Sequence, residues 1–248
     1  METNNVTFPS ADGQAELEAV WHLPARRATN GAVIVLHGTS YNKDSEPSTS
    51  LCEGAARLGL TALRFDFRYV HNGEREKFNP VTHGLSDLLG AYNFLQSFGK
   101  EIKPRRLYLI GKSLGGLVAL GMATNPEYAA QVNGVGVLGL VMHNTDGSQW
   151  FLPEGLPELK APLFVAQGSR DPYGSPEELR RFLEKLEVPA SAKIIEGGGH
   201  SYEYLPSGGK ALAPEQAELQ SKTNMAQAVN LTLDWLEKLD ATRPDLRI

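Results

Sequence analysis

"LYLIGKSLGGLVALGMA", residues 107–123, passes from an apolar run of strand type directly into an apolar run of helix type. The join holds Ser113 between Gly111 and Gly115, with Lys112 just before the serine. Either this is a tight turn that contains a serine, or the turn exists to present the hydroxyl. A sharp strand-to-helix turn holds its serine in a strained backbone conformation with Oγ clear of the sheet. It also presses the flanking positions against neighbouring backbone, where only glycine fits. The helix that opens there aims its free N–H groups and positive dipole end at the hydroxyl. The five-residue pattern alone is common, and its weight comes from standing between "LYLI" and "LVALGMA". "GKS" also invites a phosphate-loop reading. That motif needs glycine five residues before Gly111, and Arg106 stands there.

The same alternation extends outward. "NNVTFPSADGQAELEAVWHLP" predicts two antiparallel strands around the Asp12-Gly13 turn. "GAVIVLHG" (31–38) is a continuous apolar run, as expected of a strand buried on both faces. "LTALRFDF" (60–67), "RRLYLIG" (105–111), "NGVGVLGLVMH" (133–143), "APLFVAQG" (161–168) and "SAKIIEGGGH" (191–200) read as further strands. Helical spacing links Val81, Leu85, Leu88, Leu89, Tyr92, Leu95 and Phe98, and again Met225, Ala228, Val229, Thr232, Trp235, Leu236 and Leu239. "SPEELRRFLEKLEV" (175–188) opens with a Ser cap, a first-turn Pro and acidic residues, as a helix should. Strand and helix alternating in this way predict a mostly parallel sheet covered on both sides. Three polar connections, 39–50, 68–82 and 205–222, are expected at the carboxyl ends of strands, where ligands bind in such sheets.

At 248 residues, with 41% hydrophobic and 21% charged, the chain suits one large domain spanning 1–248. A net charge of −5 without any basic block argues against nucleic acid as a partner. The first residues, "METNNVTFPSADG", carry neither the basic nor the apolar segment of a secretory leader, and the apolar runs are too short to span a membrane. The single cysteine, Cys52, excludes an internal disulfide, so a cytoplasmic protein is expected.

An aliphatic hydroxyl needs a general base, itself oriented by a third group, to act as a nucleophile at neutral pH. After this kind of elbow the partners are expected in the order acid, then histidine. Asp171 follows the strand "APLFVAQG", and His200 follows "SAKIIEGGG", so all three can meet at one edge of the sheet. Asp146, after "LGLVMHNT", is a second candidate for the acid. Negative charge that builds on an attacked carbonyl needs backbone donors. The N–H of Leu114 and the N–H of Thr39, in the loop after "VIVLHG", are the expected pair, with the Thr39 and Ser40 hydroxyls as further candidates. His37 reads as a residue that orders this loop rather than as a base. Tyr41, Tyr69, His143, Tyr173 and Tyr202 are candidates for the substrate rim. Lys112 and Arg170 read as surface charges. The histidines show no metal-ligand spacing to Cys or carboxylates, so neither a metal nor an organic cofactor is expected.

"VLHG", "RFDFR", "GKSLGG", "QGSRDPYGSPEEL" and "GGGHS", in this order, resemble the α/β-hydrolase superfamily over nearly the whole chain. The likeness is greatest to its small, cap-less branch near dienelactone-hydrolase-like proteins. It implies an α/β-hydrolase fold: a central sheet of about eight strands, mostly parallel with the first strands antiparallel, helices on both faces, and no large lid. It also implies Ser113 as nucleophile, Asp171 as acid, His200 as base, and donors at Thr39 and Leu114. True dienelactone hydrolases carry cysteine where this chain has Ser113, so their substrate is not implied. The expectation is a serine hydrolase acting on a small-molecule ester, with small or extended substrates in an open cleft. Two alternatives stand beside it: a binding scaffold with an idle site, and a hydrolase of thioester or amide bonds or an acyltransferase.

Overall fold

The computed structural model describes residues 1–25, 30–98, 103–148, 156–206 and 211–242. Eight strands form one sheet: β1 (Glu2–Pro9), β2 (Glu16–Leu23), β3 (Gly31–Leu36), β4 (Thr61–Phe65), β5 (Arg106–Lys112), β6 (Val132–Leu138), β7 (Leu163–Gly168) and β8 (Ala190–Ile195). Their spatial order is β1-β2-β4-β3-β5-β6-β7-β8. β1 pairs antiparallel with β2, and β2 with β4, while every later pairing is parallel. The predicted hairpin is present, its turn passing through Gly13 at φ +69°.

The helices are α1 (Ser48–Arg57), α2 (Tyr69–Asn72), α3 (Leu85–Gln96), α4 (Leu114–Thr124), α5 (Pro176–Leu183) and α6 (Pro214–Ala241). Leu88 of α3, Leu117 and Leu120 of α4 and Leu179 of α5 pack on one face of the sheet with Leu17, Ile34, Leu109 and Val137. Leu51 and Cys52 of α1 and Val229 and Leu236 of α6 cover the other with Val33, Ile110 and Phe164. A strand between two helical layers has no polar face, which is why all six residues of "GAVIVL" are buried. Near the sheet edge β2 instead alternates exposed and buried positions through Ala19.

Three boundaries differ from the sequence reading. β6 ends at Leu138, not His143, because Gly139 at φ +68° turns the chain out of the sheet. The connection from β6 to β7 is therefore longer than the apolar run suggests; its residues 149–155 lie outside the described ones. α6 begins at Pro214, so the long connection after β8 stops nine residues earlier than the polar stretch 205–222 implied. A π-helical turn, Pro80–Gly84, precedes α3 and leaves Val81 59% exposed, outside the buried stripe to which its spacing assigned it. α5 starts where expected, with Ser175 and Glu178 forming a reciprocal capping box. Among the described residues no helix is long and apolar enough to cross a membrane.

The first two inner strands set the position of the site. β4 lies on one side of β3 and β5 on the other, so the chain reverses direction of travel across the sheet at the β3–β5 boundary. Loops leaving the carboxyl ends of β3 and β5 part there and open a crevice.

Candidate active site

Ser113 occupies the one-residue step between β5 and α4, at φ 52° and ψ −116°. This is the left-handed half of conformational space, which a residue with a Cβ enters only under strain. The Ser113 N–H donates to Leu138 O at 3.0 Å, which fixes the step to the end of β6. The glycines are explained by contact. A Cβ at Gly115 would lie 2.3 Å from Leu36 O and 2.8 Å from His37 O; one at Gly111 would lie 2.2 Å from the carbonyl carbon of Gly115. Both flanks of the serine are thus backbone-on-backbone contacts.

His200 leaves the loop after β8 and reaches both partners. Its Nε2 lies 2.8 Å from Ser113 Oγ, and its Nδ1 lies 2.8 Å from Asp171 Oδ2. A carboxylate only accepts, so Nδ1 carries the proton and Nε2 is left to receive one from the serine. The Asp171 side chain is fully shielded from solvent, whereas the imidazole keeps 16% of its exposure. Asp171 is held by two further donors: the Tyr173 N–H at 2.9 Å on Oδ1 and Gln167 Nε2 at 2.9 Å on Oδ2. Asp146, the other candidate acid, is exposed and accepts from the Ser148 N–H within its own loop.

Thr39 and Leu114 line one cleft of about 620 Å³ together with Tyr69, Phe78, Pro80 and the charged run Glu74–Lys77. Leu114 is the first residue of α4, no side chain caps that helix, and neither its N–H nor that of Thr39 has a partner among the described residues. Both residues that border this cleft thus carry a backbone donor left unused. His37 orders this loop as its position suggested. Its Nδ1 lies 2.8 Å from Gly38 O, its Nε2 accepts the Phe67 N–H at 3.1 Å, and burial pushes the imidazole toward its neutral form.

The rim candidates divide. Tyr69 lines the cleft, its hydroxyl 3.4 Å from the carbonyls of Gly38 and Thr39. Tyr173 meets the His200 ring edge-on at a centroid distance of 4.6 Å. Tyr41 is half-buried in the β3–α1 loop. His143 is half-buried beside Tyr173, its Nε2 3.5 Å from Glu178 Oε1. Tyr202 is no rim residue. It is wholly buried, at φ 62°, with its hydroxyl donating to Ala166 O at 2.9 Å, so it underpins the His200 loop from within.

Two polar residues around the triad escaped the sequence reading. Gln167 is fully buried, and besides Asp171 it bonds Leu140 N–H, Leu140 O and Gly174 O, tying the acid to the β6 exit. Lys112, read as a surface charge, is 2% exposed and donates from Nζ to His200 O at 2.8 Å. The available signal was the same for both: a polar residue inside an otherwise apolar strand, in "LFVAQG" and in "LYLIGK". Arg170 is half-buried rather than fully exposed.

Away from the triad, Glu18, Asp66 and His71 bring ligand-type atoms within 4.8 Å of one another, a grouping that their separation in sequence concealed. Lys43 Nζ already sits 3.0 Å from Asp66 Oδ2 and 3.4 Å from Glu18 Oε2, so a lysine supplies the cation there.

A mostly parallel eight-stranded sheet with a strained serine step after β5 and an acid and a histidine after β7 and β8 is an α/β-hydrolase architecture. Residues 29–230 match the alpha/beta hydrolase domain family, and the chain belongs to it. An uncharacterized protein of Mycobacterium tuberculosis strain H37Rv is 27% identical over 195 residues, 73% of this chain and 67% of the relative. Among solved structures, a lid-less α/β serine hydrolase from Xanthomonas campestris superposes with a TM-score of 0.66 at 18% identity, covering 93% of this chain and 95% of that one. A dienelactone hydrolase from Anabaena variabilis gives 0.64 at 21% identity, covering 91% and 97%.

Proposed function

We propose that this chain is a serine hydrolase of the carboxylic-ester class. The observation that carries the reading is the His200 ring, hydrogen-bonded at one nitrogen to Ser113 Oγ and at the other to the buried Asp171 carboxylate, 2.8 Å each way. Ser113 attacks the ester carbonyl as His200 Nε2 takes its proton, and Asp171 stabilises the imidazolium that results. The carbonyl oxygen gains negative charge and meets the open N–H groups of Thr39 and Leu114, each donor of this kind contributing about 3–4 kcal/mol to the barrier reduction. His200 then returns the proton to the departing alcohol. In the second half it draws a proton from water, which cleaves the acyl-enzyme and frees Ser113.

The lining of the cleft supports small or extended substrates. Tyr69, Phe78 and Pro80 offer an apolar wall to an acyl or alcohol group, and about 620 Å³ is room for a molecule of modest size. The partner in this reading is a small-molecule ester. The acidic balance of the chain argues against a nucleic-acid backbone, and a cytoplasmic location fits the single buried cysteine. Hydrolysis of a panel of p-nitrophenyl esters, set beside anilides and acyl thioesters, tests it. Esters are expected to give the highest kcat/KM, and Ser113→Ala is expected to abolish turnover at unchanged Tm. A Ser113→Ala protein that still turns over, or that unfolds, contradicts the assignment of the serine as nucleophile.

A further inference from the structure

Lys112 is among the largest fully buried side chains of the described residues, and the chemistry above makes no use of it. Burying an ammonium is costly unless its protons are used. Here one goes to the carbonyl of the base itself, Nζ to His200 O at 2.8 Å, and the charge lies 5.8 Å from the centroid of the Tyr202 ring. A Cβ at Gly139 would stand 3.1 Å from Lys112 Nζ and 3.2 Å from His200 Cε1, so ammonium and imidazole border the same niche. The bond also ties the residue that precedes Ser113 in the chain to His200. The rest of the His200 loop is tied independently, by Tyr202 OH to β7 and by Asn224 Nδ2 to Tyr202 O at 3.2 Å.

We propose that Lys112 is a positioning residue for the base: its ammonium holds the His200 backbone in line with Ser113 and, by its charge, opposes protonation of the imidazole. This rests on the hydrolase reading of Ser113 and His200. The charge is present where it is needed. Burial pulls the Lys112 pKa down to about 8, with Asp171 and Glu203 working against that fall, so the ammonium persists through the acidic and neutral range. The other titratable groups on the packed elements are Tyr41 in the loop after β3, Tyr173 after β7, and Tyr202 and Glu203 after β8. Burial pushes the Tyr202 phenol up, so that ring stays neutral beside the ammonium.

The test is the pH profile of ester hydrolysis for the wild type, Lys112→Met and Lys112→Gln. Lys112→Met loses both the donor and the charge, and its kcat is expected to fall of the order of tenfold to a hundredfold. KM is expected to stay within about twofold, since no substrate contact is removed. The midpoint of the acid limb of kcat/KM is expected to move up by about half a pH unit or more in both variants, because each removes a positive charge close to the imidazole. Lys112→Gln keeps an uncharged donor on a side chain one bond shorter and serves if Lys112→Met does not fold. An unmoved midpoint overturns the proposal even if kcat falls, since loosened packing alone lowers a rate without moving its midpoint. A wild type inert toward both esters and a fluorophosphonate overturns the hydrolase reading and this proposal with it; an active wild type with an unmoved midpoint overturns only the role of Lys112.

Discussion

At the scale of single residues, the site depends on how closely backbone can approach backbone. Ser113 is held at φ 52° because the end of β5 and the start of α4 are pressed against β3, and Gly115 is the point of contact, a Cβ there lying 2.3 Å from Leu36 O. Gly115→Ala must therefore push α4 away from the sheet, since the obstructing atoms are backbone and cannot rotate aside. A cost of about 1–3 kcal/mol or more follows. At about 2–4 °C per kcal/mol for a chain of this size, a Tm lowered by several degrees is the expected result of a thermal melt. A Gly115→Ala protein with wild-type Tm and wild-type turnover would mean that the elbow is looser than these contacts imply. The meeting of Ser113, Asp171 and His200 was legible at this scale because each of them closely follows an apolar strand run. Lys112 and Gln167 were not, because nothing in one sequence says which way a polar side chain points when both faces of its strand are covered.

At the scale of the element, β2 joins the antiparallel edge to the parallel body of the sheet and carries a buried histidine. His22 is 2% exposed, and its Nε2 accepts from Arg64 Nε at 3.1 Å, so the neutral ring bears its proton on Nδ1, a buried atom without a hydrogen-bond partner. Burial, with the Arg64 charge adding to it, pulls its pKa down to about 4. In the unfolded chain an ordinary histidine titrates near 6.5, so between that pH and about 4 the unfolded state binds the extra proton. Stability contributed by keeping His22 neutral is therefore present above pH 6.5 and lost as pH falls toward 4. The loss amounts to about 3.5 kcal/mol at most, since each pH unit separating the folded from the unfolded titration is worth about 1.4 kcal/mol. Thermal melts of the wild type and His22→Gln from pH 7 to pH 4.5 check this. The wild type is expected to lose more Tm over that interval than the variant, and equal losses would place the acid sensitivity elsewhere. Element boundaries were the least legible part of the sequence. The apolar run 133–143 continues past the strand because "LVM" is core without being sheet: Leu140 and Val141 are buried after Gly139 has turned the chain.

At the scale of the whole molecule, one topological fact gathers the chemistry. The strands on either side of the β3–β5 boundary send their loops apart, and parallel pairing through β8 places the exits of β5, β7 and β8 along one edge. Residues separated by 58 and then 29 positions in the chain meet there within hydrogen-bonding distance. Strand and helix alternation foretold this arrangement, since right-handed crossovers leave few ways to order such a sheet. The clustering of Glu18, Asp66 and His71 was hidden for the opposite reason: they come together across an antiparallel edge whose register no local pattern reveals. The claim on which the account turns is that the Ser113 hydroxyl is activated by His200. A fluorophosphonate probe measures it most directly. Folded wild-type protein is expected to take up one adduct, mapped to Ser113, at a rate that collapses in His200→Ala. Folded protein that forms no adduct at Ser113, or forms it equally fast without the histidine, would contradict it.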